Sequence, residues 1–186
     1  MNTKKVHVAK PIETSDPRVI DEICRFRAQV WEHTGHLCAD AFPHGCWRDP
    51  IDSQARHWLI RLTSGRLVAA GRLSIHETLD DVHQAEEYKR YGVDVPGPIA
   101  APDRVVVCPS VQGQEMGRQI LDVQDEAMRV AGARYAIRQA SHQMIRLLEH
   151  RGWQLLGPAS EDKRFPGAEF IVAILVLDAR VSPTVS

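Results

Sequence analysis

Three consecutive valines, Val105, Val106 and Val107, are closed by Pro109 and lead through a polar turn containing Gly113 into an amphipathic segment. An unbroken β-branched run of this kind predicts a strand buried on both faces, here over residues 103–108. Met116, Ile120, Leu121, Ala127, Met128 and Ala131 then recur on one helical face until Gly132 stops the segment. A strand followed by a turn and then a helix constrains the fold strongly, because such units build sheets with helices packed on them.

The rest of the chain extends the pattern. Val19, Ile20, Ile23, Phe26, Val30 and Trp31 recur at helical spacing over residues 17–32, with Asp16 placed to cap and Pro17 at the first helical position. Residues 5–12 read as a short strand. Residues 33–50, rich in Gly, Pro, His and Cys, read as a loop or broken helix near the surface. Residues 57–62 and 67–75 are apolar runs joined by Thr63-Ser64-Gly65-Arg66, a hairpin signal. The lone His57 at the start of the first run reads as a satisfied edge residue.

Residues 76–102 differ. A charged stretch with weak helical spacing (Leu79, Val82, Ala85, Tyr88) is followed by Pro96, Pro98 and Pro102, which disfavour regular pairing. They read as an insertion covering part of a single domain that spans the chain. Downstream come a strand at 133–138, a helix at 141–151 stopped by Gly152, and strands at 153–156 and 170–177. The order implies an α/β fold with a central mixed sheet flanked by helices.

Composition narrows the function classes. With 23 Lys plus Arg against 24 Asp plus Glu, the chain has no basic excess to suggest nucleic acid or an anionic membrane surface as partner. The longest apolar run, residues 170–177, is strand-sized, and residues 1–11 lack the apolar core of a signal peptide. Four cysteines, none in a C-x-x-C pair, are too sparse for a disulfide scaffold. A cytoplasmic protein with reduced thiols is the expectation, and a homodimer is left open.

The chemistry concentrates where the valine strand meets the turn and helix. The first N–H groups of a helix lack intrahelical acceptors and sit at the positive end of its dipole, so this junction suits an anion such as a pyrophosphate. Gly113 would let the backbone approach that anion, and Gly117 would keep the helix near the sheet.

At this point the sequence resembles the GCN5-related N-acetyltransferase (GNAT) superfamily. That family's pattern is a strand, Arg or Gln, two residues, Gly, one residue, Gly or Ala, then a helix. Here Gln112, Glu115 and Gly117 occupy the three positions, with Glu115 in place of the first glycine. The segment Arg104-Val105-Val106-Val107-Cys108-Pro109 resembles the family strand, which ends in a valine, any residue and a proline. In a second block the Gly152-Trp153 pair and its spacing match, with Ser141 at the family's Asn and Leu148 at its Tyr.

The resemblance implies a GNAT-like acyl-CoA N-acyltransferase fold and transfer of an acetyl group from acetyl-CoA to a primary amine by direct attack. It places the backbone of Val105, Val106 and Val107 against pantetheine as an added strand would lie, and Gln112, Gly113, Gln114, Glu115, Met116, Gly117, Arg118 and Ser141 at the cofactor. The Glu base of some relatives falls on Ala136 and the Tyr acid on Leu148, so neither role transfers. Substitutes are Glu77 and Asp103 as base, with His76 nearby in sequence, and Ser141 or Cys108 near the thiol.

Other readings stay open. One is a non-catalytic acyl-CoA-binding or regulatory module on the same fold; another is an acyltransferase like the acyl-homoserine-lactone synthases, to which the Arg104 strand and the element order bear a faint likeness. His33, His36, Cys38, His44 and Cys46 are ligand types for zinc in a spacing that matches no finger, so no metal is expected. Phe42 and Trp47 in the same loop line an acceptor pocket or pack on the core.

Overall fold

The computed structural model describes residues 10–38 and 40–178. Seven strands form one mixed sheet in the order β1-β2-β3-β4-β5-β7-β6: β1 Ile12–Thr14, β2 Arg56–Arg61, β3 Leu67–His76, β4 Ile99–Val107, β5 Tyr135–Ser141, β6 Gln154–Pro158 and β7 Phe170–Val176. The helices are α1 Pro17–Glu32, α2 Ala85–Lys89, α3 Met116–Val130 and α4 Ile145–Glu149. No helix of the described residues is long and apolar enough to cross a membrane.

Contacts group the chain into two compact units, the division falling within β3 after Arg72 and within β4 after Asp103. The first holds described residues 10–35, 40–72 and 104–125; the second holds 36–38, 73–103 and 126–178.

In the first unit α1 begins as its sequence predicts. The Asp16 side chain accepts from Arg18 N–H at 2.8 Å, and Pro17 fills the first turn without wasting a donor. Ile23, Phe26 and Val30 of α1 pack with Leu59 of β2, Leu67 and Ala70 of β3 and Val106 of β4. The turn between β2 and β3 closes with Leu62 N–H on Arg66 O and Gly65 N–H on Leu62 O, both at 2.9 Å, and Gly65 takes the positive φ it requires.

In the second unit, Leu79, Val82, Tyr88, Val93 and Val95 pack on Ile99, Ala101, Tyr135, Ile137, Val172 and Ile174. The segment before β4 therefore supplies a large share of this core, at roughly 1.5–3 kcal/mol for each large apolar side chain buried. Arg90 and Tyr91 also hold the end of β6 through the Pro158 carbonyl.

Several elements depart from expectation. The strand expected at 5–12 lies mostly outside the described residues; β1 starts at Ile12, after Pro11. β4 starts at Ile99 and takes Pro102 into the strand, since proline costs a strand only the donor it lacks. Ile99 and Ala100 pair in parallel with Tyr135 and Ala136. β5 runs on to Ser141, into the stretch whose pattern predicts a helix, because every residue from Tyr135 to Ser141 pairs antiparallel with β7. A 3-10 turn at His142–Met144 and the short α4 occupy what remains.

The valine strand is not fully buried. Val106 is 4% exposed in the first unit's core, while Val105 and Val107 are half-buried on the opposite face. The loop at 33–50 is not all surface either, because Trp47 and Asp49 are buried. His57 is no edge residue: it is fully buried in β2, with β1 and β3 on either side.

Candidate functional site

β4 delivers the chain to Cys108, whose N–H donates to Val68 O at 2.8 Å and ties the strand's end to β3. The Pro109–Val111 turn follows, with Val111 buried as its anchor, and residues 112–115 are exposed. Gly113 has φ +80° with open space where a Cβ would stand, so its glycine serves the backbone conformation.

Glu115, at the family's glycine position, also adopts a left-handed φ of +64°. That conformation costs a residue with a Cβ about 1–2 kcal/mol. Its carboxylate swings out to Arg118 at 3.0 Å, on the surface. The side chain of Met116, 1% exposed, fixes the first turn of α3, and helical geometry leaves its leading N–H groups without intrahelical acceptors. The turn and helix start thus present backbone donors on an exposed surface, which fits a pyrophosphate.

Gly117 plays a smaller part than its spacing suggests. A Cβ there would lie 3.6 Å from Val107 Cγ2, an ordinary contact. The close approach of helix to sheet is at Gly71, where a Cβ would come within 2.3 Å of Ile120 Cγ2.

Next to this strand lies a buried ion network that sequence reasoning missed. Arg72 Nη1 donates to Asp49 Oδ2 at 2.8 Å and to Asp52 Oδ1 at 2.9 Å. Arg27 Nη1 meets Asp52 Oδ1 at 2.8 Å, and Arg104 Nε meets Asp49 Oδ2 at 2.8 Å. The two aspartates are joined through the backbone: Asp49 N–H donates to Asp52 Oδ2 at 2.7 Å. Trp47 Nε1 donates to Asp49 Oδ1 at 3.3 Å, and the Arg104 guanidinium lies 4.5 Å from the centroid of the Trp47 ring. Phe42 stacks on Trp47 at 4.8 Å, so these two aromatics pack with each other.

Burial raises the cost of ionising Asp52, but Arg27, Arg72 and the Asp49 N–H outweigh it and hold the carboxyl down at about 2. Burial likewise opposes ionisation of Asp49, and Arg104 and Arg72 hold it well below the usual carboxylate range. Burial pushes the Cys24 thiol up to about 12, so it stays neutral. His57 is pushed down, first by burial. Its hydrogen bonds agree with a neutral ring: Nδ1 accepts from Arg27 Nη2 at 3.3 Å and Nε2–H donates to Asp52 O at 2.8 Å. Three guanidinium charges therefore face two carboxylates. The signal lay in arginines set inside apolar patterns: Arg27 at i+4 from Ile23, Arg72 within the run of β3, and Arg104 ahead of the valines.

Arg104 carries a further peculiarity, a φ of +54° within a strand. An arginine rarely adopts the left-handed region, and mid-strand such a residue breaks the pleat.

The proposed acid–base residues Glu77, Asp103 and Ser141 belong to the second unit. Glu77 is exposed, its backbone against Gly97, on an open depression of about 770 Å³ that Asp80, Lys89 and Asp94 also line. That depression contains none of residues 105–118. His76 is buried, with Nε2 at 2.8 Å from Ser74 Oγ. Asp103 is half-buried in β4, and Ser141 is half-buried at the end of β5, opposite Phe170. In the first unit Cys108 Sγ lies 3.2 Å from Ser110 Oγ. Ala136 and Leu148, at the family's Glu and Tyr positions, are fully buried.

Among the described residues no three His, Cys, Asp or Glu side chains group to hold a metal ion. Members of the His and Cys loop have other partners, His33 on Gln29 O at 2.7 Å and His36 on Pro166 O at 3.2 Å.

The fold is that of the GNAT superfamily and of the acyl-homoserine-lactone synthases built on the same sheet. A candidate N-acetyltransferase from Lactobacillus plantarum superposes with a TM-score of 0.64 at 20% identity, over 91% of this chain and 98% of that one. TofI, solved in a ternary complex with an inhibitor and MTA, gives 0.67 at 17% identity, over 92% and 93%. FeeM, an N-acyl amino acid synthase from uncultured soil microbes, gives 0.67 at 12% identity, over 92% and 91%. No protein-family model matches the sequence, and no curated protein matches it.

Proposed function

We propose that this protein is an acyl-CoA-dependent N-acyltransferase that moves an acetyl group from acetyl-CoA to a primary amine of a small molecule or protein. The observation that carries the reading is the β4-turn-α3 unit, in which a half-buried strand edge leads to an exposed turn and the positive start of a helix. The backbone of Val105, Val106 and Val107 would pair with the pantetheine amides, and the turn at 112–117 would hold the pyrophosphate. A strand N–H would polarise the thioester carbonyl.

The amine nitrogen attacks that carbonyl, forming the C–N bond. The tetrahedral intermediate collapses by breaking the C–S bond, and CoA leaves as thiolate. The ammonium form of the substrate gives up two protons in becoming an amide, one before attack and one after it. Glu77 and Asp103 are the candidate acceptors of the first. The thiolate needs little help, since thiols ionise near pH 8.5, and Ser141 is the candidate donor.

A second reading, transfer of acyl groups other than acetyl, is supported by FeeM, an N-acyl amino acid synthase, superposing as well as the candidate acetyltransferase does. The test is thiol release from acyl-CoAs of two to eight carbons with a panel of amines, alongside calorimetric binding of CoA. Release that peaks with acetyl-CoA supports N-acetylation; release that peaks with longer chains replaces acetyl by acyl. Binding without release makes the protein a regulatory module, and the absence of both overturns the reading.

A further inference from the structure

Arg104 stands directly ahead of the three residues assigned to the thioester and pantetheine, and it is the residue at which the strand's pleat breaks. The backbone conformation there is one that the Cβ of an arginine opposes. Strain of this kind persists only where the surroundings over-determine it, and it is more often kept at sites of function than elsewhere.

The surroundings do over-determine it. Arg104 Nε is held by Asp49 Oδ2 at 2.8 Å, and its guanidinium carbon lies over the Trp47 ring, 4.5 Å from the centroid. Neither anchor can drift. Asp49 is also held by Arg72 at 2.8 Å and by the Trp47 indole at 3.3 Å, and its own N–H is fixed on Asp52 at 2.7 Å. Asp52 in turn is locked to Arg27 and Arg72. Arg104 Nη2 is shielded and makes no hydrogen bond with any described residue. The side chain therefore does not use its full donor capacity; what it uses is one hydrogen bond to Asp49 and one cation–π contact with Trp47.

We propose that Arg104 is a positioning residue for the acyl transfer. Its side chain, clamped on Asp49 and Trp47, holds its own backbone in the left-handed conformation and so sets the direction in which the Val105, Val106 and Val107 amides point. This rests on the acyl-CoA reading of that strand. A rigid support behind the group that meets the substrate is what such a site requires, because an error of an ångström costs rate while leaving distant binding contacts intact.

Arg104→Ala, Arg104→Gly and Arg104→Lys separate this role from charge balance. Alanine removes the clamp and keeps the Cβ; kcat should fall at least thirtyfold, with the dissociation constant of CoA changed less than threefold. Glycine adopts the positive φ freely, so it should regain at least tenfold of that loss. Lysine keeps the charge without the planar fork and should stay at least fivefold below wild type. The amide resonances of Val105, Val106 and Val107 supply a readout independent of turnover: they should shift in the alanine variant and return toward wild type in the glycine variant. Equal kcat for alanine and glycine, full activity for lysine, or valine amides unmoved by alanine would each overturn the positioning role. A wild-type protein that neither binds CoA nor releases thiol overturns the acyl-CoA reading, while the amide resonances still decide whether Arg104 sets the strand.

Discussion

The turn at residues 112–117 and the ion network around Asp49 and Asp52 belong to the same unit, and they are built in opposite ways. The turn is exposed over residues 112–115 and comes from one short stretch of chain, and its positive character lies in backbone N–H groups. The network is buried and drawn from four stretches between Arg27 and Arg104, and its charges are formal. An exposed site of backbone dipoles costs little to keep empty, because water solvates it. A set of three arginines and two aspartates, buried but for the part-buried Arg104, is costly to form and costlier to break, since removing one partner leaves a charge without compensation. The first is suited to receiving an anion that comes and goes; the second is suited to holding a scaffold still.

That contrast can be broken most forcefully at Asp52. Asp52→Asn should destabilise the protein by about 3–5 kcal/mol in urea unfolding, because both Arg27 and Arg72 lose their shared carboxylate. Gln112→Ala in the turn should cost under about 0.5 kcal/mol, as surface changes usually do. Similar losses from the two substitutions would erase the distinction.

Acid should probe the network next. His57 is held below its ordinary value of about 6.5, so the unfolded chain takes up a proton first, and stability falls as pH drops below that value until the folded ring also protonates. His57→Gln should remove this phase. Asp52 adds a second loss at lower pH: its contribution is present above the unfolded value of about 3.9 and is lost as pH falls through its folded value of about 2. This second phase should amount to on the order of 2 kcal/mol. Stability that stays flat as pH falls from 7 to 3 would contradict a neutral His57 beside an ionised Asp52.

Gly71→Ala tests the support behind the turn. A Cβ there meets the Ile120 side chain at 2.3 Å, so Ile120 or the helix that carries it must give way, at a cost of about 1–3 kcal/mol. CoA affinity should fall with it, whereas Gly117→Ala, with its contact at 3.6 Å, should change neither. A smaller effect, and a gain, is expected at Glu115. Glu115→Gly removes a strained φ of +64° and should raise stability by about 1 kcal/mol while tightening CoA binding. Weaker binding would mean that the carboxylate has a role in the turn.

How much could be read from the sequence follows the same divide. The α1 helix, the hairpin of β2 and β3, and the passage from β4 through the turn to α3 are written in local periodicity and caps, and each formed within a few residues of expectation. The start of β4 at Ile99 was hidden by Pro102, and the end of β5 at Ser141 by a helix-like pattern that pairing with β7 overrode. The network was hidden by distance along the chain: Asp49 lies in a loop that looked like surface, and His57 looked like an edge residue until Arg27 and Asp52 came together around it. Arginine inside an apolar pattern was the visible trace of a partner elsewhere. An acid and a base for the proposed reaction were the least legible, because the positions they hold in the resembled family are Ala136 and Leu148 here, both without a titratable group and both buried.

The central claim is that the β4-turn-α3 unit holds an acyl-CoA. A crystal structure of the protein soaked with acyl-CoA addresses it most directly. The expected result has pyrophosphate oxygens about 3 Å from backbone nitrogens of residues 113–117, with the pantetheine amides paired to the backbone of Val105, Val106 and Val107. An acyl-CoA bound at another surface, with this turn free of phosphate, would contradict it.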